Sequence, residues 1–380
     1  MFNNSLNSLK EKNLLRALRA VTPSGGVRAV IEGRECTLFC SNDYLGLSGH
    51  PRVREAAIRA VEDPPFGSGA APLVSGYSER HGRLEEELAT FKGAEKALLF
   101  GSGYLANVGV IPALAGEGDV ILSDSLNHAS IVDGCRLSRA EVRVYGHADT
   151  SSLKALLKES AGSNRRFIVT EGVFGMDGDI APLPEITALA DEHGATVILD
   201  DAHATGTVGA TGRGSLEHFG LPVGDIVVVG TLGKALGSYG AFVAARRDTI
   251  DWLVNSVRSF MFSTALPPSV CAAASEALKV LEEEPERLLR LKENADMLRH
   301  SLRGMGLPVL GEGAPIIPVV MGGAEKAVRL SSALFEAGFY CPAIRPPTVP
   351  AGTSRLRLTV SALHAEEDME GLARAIGRLI

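Results

Sequence analysis

The sequence lacks the features that would place it in several large protein classes. It has five cysteines, Cys36, Cys40, Cys135, Cys271 and Cys341, an odd number with no pair at CxxC spacing. That argues against a disulfide framework and a zinc site, and for reduced thiols in a cytoplasmic chain. Cys36 and Cys40 have no second ligand pair nearby and read as strand residues. No metal is expected. Basic residues are not in excess: 38 Lys and Arg stand against 45 Asp and Glu, a net charge of −7. An extended nucleic-acid surface is therefore not expected, although local pockets for small anions are. No apolar run reaches the ~18 residues that a membrane span requires. The polar stretch from Met1 to Lys12 has no apolar core, so no signal peptide is expected. Repeats and low-complexity segments are also missing.

What is present is length, glycine and alternation. At 380 residues the chain exceeds the size at which one core stops growing, which predicts two domains. The boundaries read as an N-terminal helix and hairpin segment over 1–40, a large domain over 41–265 and a smaller α+β domain over 266–380. Apolar spacing predicts an amphipathic helix from Leu6 to Ala20 carrying Arg16 and Arg19. A hairpin of Val27–Ile31 and Cys36–Phe39 turns at Glu32-Gly33. A helix over Val53–Val61 ends near Pro64-Pro65. Phe66–Tyr77, glycine-rich and without periodicity, reads as a long functional loop. After a helix over Glu79–Lys92, strands and helices alternate: strands at Lys96–Phe100, Val120–Leu122, Val142–Tyr145, Phe167–Thr170, Thr196–Leu199 and Ile226–Val229, with helices between several of them. A further strand, Ala241–Ala244, follows. This is an α/β pattern and predicts a mostly parallel sheet covered by helices on both faces.

In such sheets ligands bind beyond the carboxyl ends of the strands. Strand Ile226–Val229 breaks into Gly230-Thr231-Leu232-Gly233-Lys234-Ala235-Leu236-Gly237, where a desolvated Lys234 would serve as nucleophile and base. Strand Lys96–Phe100 ends in Gly101-Ser102-Gly103-Tyr104 and opens into a helix, whose first N–H groups suit a phosphate. A dinucleotide fingerprint is not met there: the third position is Ala106, and no acidic partner follows. Asp200 and His203 follow strand Thr196–Leu199, and Glu171 ends the strand before it. His128 lies after strand Val120–Leu122, where a flat imidazole could stack on a ring. Arg355 and Arg357 alternate with Leu356, Leu358 and Val360, so both guanidinium groups project from one face of a strand and suit a carboxylate. A phosphate site, a carboxylate for a ring nitrogen, a stacking histidine, a lysine and a carboxylate-binding arginine together describe a pyridoxal 5'-phosphate (PLP) site.

The motifs Ser41–Leu47, Val74–Ser78, Asn127–Ser130, Glu171–Phe174, Met176–Asp179, Asp200–His203 and Thr231–Lys234 resemble those of the α-oxoamine synthases, a branch of the fold-type I (aspartate aminotransferase-like) PLP enzymes. The resemblance runs from Leu15 to Ile380. It implies a mostly parallel seven-stranded sheet and a shared-site homodimer. Lys234 matches the Schiff-base lysine, Asp200 the partner of the pyridine nitrogen, His203 that of the phenolic oxygen and His128 the stacking residue. Gly103, Tyr104 and Thr231 match phosphate contacts. Glu171 falls in a cofactor motif, and Ser263 and Thr264 would reach the phosphate from a partner subunit. Asn42 lines the substrate side. Arg357, with Arg355 second, matches the amino-acid carboxylate site, and Arg16, Arg345 and Thr348 would lie toward the acyl substrate. Segment Ala343–Thr353 is similar to members that join L-alanine to a pimeloyl thioester, carried on CoA or on acyl carrier protein. Other α-oxoamine chemistry, such as glycine acetylation, and a non-catalytic subunit of the same fold are the alternatives. One departure stands out: Gly175 occupies a position where the family usually has serine.

Overall fold

The computed structural model describes residues 2–63 and 65–380. Met1, where the N-terminal segment begins, and Pro64, near which a helix was expected to end, lie outside the described residues. The strands are β1 (Val21–Gly25), β2 (Arg28–Ile31), β3 (Arg34–Leu38), β4 (Lys96–Phe100), β5 (Val120–Asp124), β6 (Glu141–Tyr145) and β7 (Arg166–Glu171). They continue as β8 (Ala195–Asp200), β9 (Val227–Thr231), β10 (Ala241–Ala245), β11 (Ile316–Gly322), β12 (Phe339–Tyr340), β13 (Ala343–Ile344) and β14 (Ser354–Thr359).

The chain divides into two units. One comprises residues 47–174 and 180–285, and the other residues 1–46, 175–179 and 286–380. The larger unit holds a seven-stranded sheet in the order β4-β10-β9-β8-β7-β5-β6. Strands β5 to β9 are parallel, and β10 runs antiparallel to both β4 and β9. The expected α/β fold with a mostly parallel seven-stranded sheet is what forms. Both faces of the sheet are covered because its inner strands are apolar at most positions rather than at alternate ones, whereas the edge strand β6 alternates and is largely exposed. Phe167, Val169, Ile198, Val227 and Val229 pack on one side with Val110, Ile111 and Ile131. Ile168, Val197, Leu199 and Val228 pack on the other with Leu153, Leu183 and Ile186. Each such buried side chain contributes about 1.5–3 kcal/mol.

The smaller unit contains the sheets β1-β2-β3-β12 and β11-β14-β13. Its composition explains why the division falls elsewhere than at residues 40 and 265. β12 pairs in parallel with β3, Phe339 opposite Thr37, and this joins the N-terminal hairpin to the C-terminal region. Helix Pro268–Glu283 stays with the larger unit, where Arg52 bonds Glu276 at 2.8 Å and Glu283 at 2.5 Å.

The expected helix over Leu6–Ala20 is shorter. It spans Asn3–Glu11 and buries none of its residues. Asn13, with φ 56°, breaks it in the left-handed region, so Arg16 and Arg19 lie beyond the helix. The long loop after residue 65 holds a single π turn, Pro72–Gly76. Helices Ala129–Leu137, Arg247–Ser256 and Arg258–Met261 had no counterpart in the sequence reading.

Candidate active site

Strands β4, β7, β8 and β9 all point the same way, so their carboxyl ends share one rim. Register places them side by side: Ala241 pairs with both Phe100 and Thr231, and Asp200 pairs with both Val229 and Glu171. Residues far apart in sequence are thereby neighbours across the sheet.

Beyond β4, Ser102 caps helix Gly103–Leu114, its Oγ accepting the Leu105 N–H at 3.2 Å and its carbonyl the Ala106 N–H at 3.0 Å. The N–H groups of Gly103 and Tyr104 precede the first helical acceptor and meet no other among the described residues. Their free donors, with the positive end of the helix, form a seat for an anion. The Tyr104 hydroxyl donates to the Asp133 carboxylate, which ties it to the neighbouring helix.

Asp200, the last residue of β8, is buried and held by two neutral donors. Asn107 Nδ2 bonds Oδ2 at 2.6 Å and the Ala202 N–H bonds Oδ1 at 3.0 Å. The Asn107 amide also donates to Ser130 Oγ (2.9 Å), which lies 2.8 Å from His128 Nδ1. Because Nδ1 accepts the Ser130 N–H as well, the ring carries its proton on Nε2 when neutral. Burial lowers the His128 pKa, the Lys234 charge lowers it further and the Asp200 charge opposes both. His128 is thus a neutral imidazole within electrostatic reach of Lys234 and Asp200. Its backbone N–H donates to Glu171 Oε1 at 2.7 Å, so Glu171 fixes the histidine's position from β7. His203 is buried two residues past Asp201, and its carbonyl accepts the Thr207 hydroxyl at 2.5 Å.

Lys234 is half-buried in a closed loop. Leu232 N–H bonds Gly240 O, Ser238 N–H bonds Leu232 O and Gly237 N–H bonds Lys234 O, each at 2.9 Å. The Thr231 hydroxyl donates to Gly240 O at 3.0 Å and accepts the Gly233 N–H at 3.2 Å, so here it serves the loop itself. Gly237 has φ 60°, and a Cβ on it would collide with the Leu47–Ser48 backbone; only glycine lets the loop lie this close. Thr264 is exposed and Ser263 half-buried, and both line a small cavity with Tyr77, His81, Glu85 and Gly101.

In the smaller unit β14 is the middle strand of its sheet, so Arg355 and Arg357 are buried rather than set on an open edge. Their surroundings differ. Arg355 pairs with Asp177 Oδ1 at 2.7 Å and donates to Met176 O and Thr353 O. Arg357 meets only neutral oxygens: Gly175 O, Asn42 Oδ1 at 3.2 Å and the Tyr44 hydroxyl at 3.3 Å. The Gly175 carbonyl is thus an acceptor for Arg357. Arg16 and Arg345 both donate to backbone carbonyls, Arg16 to Arg345 O and Pro346 O, Arg345 to Asn13 O at 2.6 Å. Neither has a carboxylate partner among the described residues. Thr348 is exposed on the same segment, its N–H on Arg345 O at 3.1 Å.

Asn107 is the residue of this network that sequence reasoning missed, and Ser130 had a place only in the Asn127–Ser130 motif, without a role. Asn107 is the one amide in the otherwise apolar helix Gly103–Leu114, one turn past the phosphate-type turn, and that was its signal. Among the described residues no cluster of side chains could hold a metal ion, and no helix is long and apolar enough to cross a membrane.

Residues 34–376 match the model of the aminotransferase class I and II family. The chain is 51% identical over 376 residues to 8-amino-7-oxononanoate synthase of Geobacter sulfurreducens, covering 98% of this chain and 96% of that one. It is 49% identical to the enzyme of that name from Methylococcus capsulatus, with the same coverage. Among solved structures, Sphingomonas wittichii serine palmitoyltransferase matches with a TM-score of 0.94 and 33% identity over 100% of this chain and 96% of that one. A variant of the enzyme from S. paucimobilis, solved with a PLP–myriocin adduct, gives 0.94 and 32%, over 100% and 97%. The 8-amino-7-oxononanoate synthase of Francisella tularensis gives 0.79 and 29%, over 90% and 97%.

Proposed function

The chain belongs to the aminotransferase class I and II family, and from that premise we propose that it joins L-alanine to a pimeloyl thioester with loss of carbon dioxide, giving 8-amino-7-oxononanoate for biotin synthesis. It is a PLP-dependent acyltransferase of the α-oxoamine synthase type. One observation carries the reading: Lys234, Asp200 and His128 lie within electrostatic reach on one strand rim, beside two N–H groups with no acceptor. These residues fit the cofactor. The free N–H groups of Gly103 and Tyr104 suit its phosphate, Asp200 its ring nitrogen, His203 its phenolic oxygen and the neutral imidazole of His128 its ring face.

When bound, PLP supplies an electron sink for the charge left on the amino acid's Cα. The protein's own residues do the rest. Arg357, a buried guanidinium with neutral partners, would take the alanine carboxylate and, with Asn42, fix its orientation. Lys234 would remove the Cα proton and later return one. Asp200, anchored by Asn107, would keep the ring nitrogen charged. Arg16 and Arg345, adjacent cations without a counter-ion, would attract the distal carboxylate of the pimeloyl chain, with Thr348 beside them. Phe66 (66%), Val74 (79%) and Phe262 (70%) are each exposed apolar side chains of the kind a second copy would cover, and that copy's Ser263 and Thr264 would complete the phosphate seat.

Lys234→Ala is expected to abolish turnover and the absorbance band of cofactor linked to the lysine; retention of both would defeat the assignment. Product formation from alanine with pimeloyl-CoA or pimeloyl carrier protein, set against glycine with acetyl-CoA, separates this activity from glycine acetylation.

A further inference from the structure

The larger unit holds a fully buried ion pair that the proposed chemistry does not use. Lys92, at the end of helix Glu79–Lys92, and Asp201, one residue past β8, are 3% and 1% exposed in their side chains, with Nζ 2.7 Å from Oδ2. The ammonium spends all three protons: on Asp201, on Thr205 Oγ1 at 3.0 Å and on the Arg213 carbonyl at 2.5 Å. Asp201 Oδ1 accepts both the N–H (3.2 Å) and the hydroxyl of Ser215. The backbone of Asp201 is tied as closely, its N–H to Val229 O at 2.7 Å and its carbonyl to Thr205 N–H and Oγ1, each at 2.8 Å.

Two glycines make room for the pair. A Cβ on Gly172 would collide with Asp201 Oδ1 and Ser215 Oγ, and one on Gly214 with Asp201 Oδ2. A buried ion pair is weak evidence of stabilisation, because desolvating two charges offsets much of their attraction, and an apolar pair often does as well. Such a knot is better understood through what it holds in place. Successive residues at a strand end face opposite ways. Asp201 turns toward Lys92, while Asp200 turns toward Asn107. Fixing Asp201 on one side fixes the direction of the Asp200 carboxylate on the other.

We infer that Lys92 and Asp201 are positioning residues, a strap that sets the Asp200–His203 turn for the pyridine ring and controls how tightly and how productively the cofactor is held. This rests on the PLP reading above and adds residues to it. The test measures PLP affinity by titrating the resolved apo chain, together with kcat and KM for alanine in the holoenzyme and the melting temperature of both. Lys92→Met and Asp201→Asn are expected to weaken PLP binding by about tenfold or more, the usual scale for removing a partner that orients a binding group. kcat should fall while KM for alanine stays, because Arg357 is untouched. Arg299→Met serves as the control: it removes a buried cation of the smaller unit, one bonded to Ala314 O at 2.6 Å, and should lower the melting temperature without changing PLP affinity. If Lys92→Met and Arg299→Met change PLP affinity alike, or neither changes it, the inference is overturned. Should Lys92→Met not fold, Ser215→Ala removes a single bond to Asp201; lowered affinity supports the strap and wild-type affinity overturns it. A wild-type chain that takes up no PLP would instead defeat the cofactor reading, so the two failures are distinguishable.

Discussion

The cluster around Asp200 in the larger unit and three arginines of the smaller unit treat charge in opposite ways. In the larger unit Asp200 is gripped by two donors, Asp201 is neutralised by Lys92, and His128 is pushed toward its neutral form. In the smaller unit Arg357, Arg16 and Arg345 donate to neutral oxygens alone. A buried or crowded guanidinium without a counter-ion costs free energy that the fold must offset. Such a group is poised to gain from an anionic ligand, whereas a satisfied one is not. On the proposed reading the Asp200 cluster therefore orients, and Arg357, Arg16 and Arg345 bind.

Arg355 and Arg357 test that distinction most sharply, since they differ by two positions on one strand. Arg357→Met should lower kcat/KM for L-alanine by about 3–4 kcal/mol, several hundredfold, the scale of losing a charged hydrogen-bonded contact. Steady-state kinetics at fixed acyl donor would show it, and an unchanged kcat/KM would return the carboxylate to Arg355. Arg355→Met instead leaves the Asp177 carboxylate unpaired, so its main effect should be a stability loss of about 2–3 kcal/mol read by denaturant titration, with KM for alanine nearly constant.

The sequence made much of this legible and left a particular part hidden. Strand ends were readable because a β-branched run followed by glycine and a charged residue is a local pattern; Lys96–Phe100 and the turn after Thr196–Leu199 fall where expected. The alternation of Arg355 and Arg357 was also local. Which of the two is already paired was not, because Asp177 lies 178 positions away and only the fold brings it there. The division into units was hidden for the same reason, since β3 and β12 are joined by a pairing across three hundred residues. Asn107 and Lys92 look like ordinary helix residues until their partners at the end of β8 and just past it are seen. The helix expected to reach Ala20 failed on one residue, Asn13, whose left-handed backbone no apolar spacing reveals.

Glu85 offers a third case, a buried carboxyl with no cation bonded to it. Burial raises its pKa to about 7, against the opposing effects of the Tyr77 hydroxyl, the Leu99 N–H and the Lys96 charge. Tyr77 bonds Oε2 at 2.6 Å and Leu99 N–H bonds Oε1 at 3.0 Å. His81 and Cys271 are the other titratable groups close by. The folded pKa lies above the unfolded one, so the folded chain holds a proton that the unfolded chain releases first. Stability is then full below the unfolded pKa near 4.5 and declines as pH rises toward about 7. Glu85→Gln should remove a decline of about 2 kcal/mol between pH 5 and pH 7.5, seen as a flatter melting temperature against pH. An equally steep profile in the variant would assign the slope to another group.

Gly175 lies on the binding side of the comparison, and the smallest effect is expected there. Its carbonyl accepts Arg357 Nε, so the backbone already does work there that requires no side chain. Gly175→Ser would keep that carbonyl and add a side-chain hydroxyl. A hydroxyl that gains one hydrogen bond to the cofactor is worth about 1 kcal/mol, so PLP affinity should rise by about fivefold or less while kcat/KM for alanine stays level. A fall in kcat/KM without a change in PLP affinity would mean that the added side chain displaces the carbonyl from Arg357, and that the glycine is there to position the arginine rather than to spare a cofactor contact.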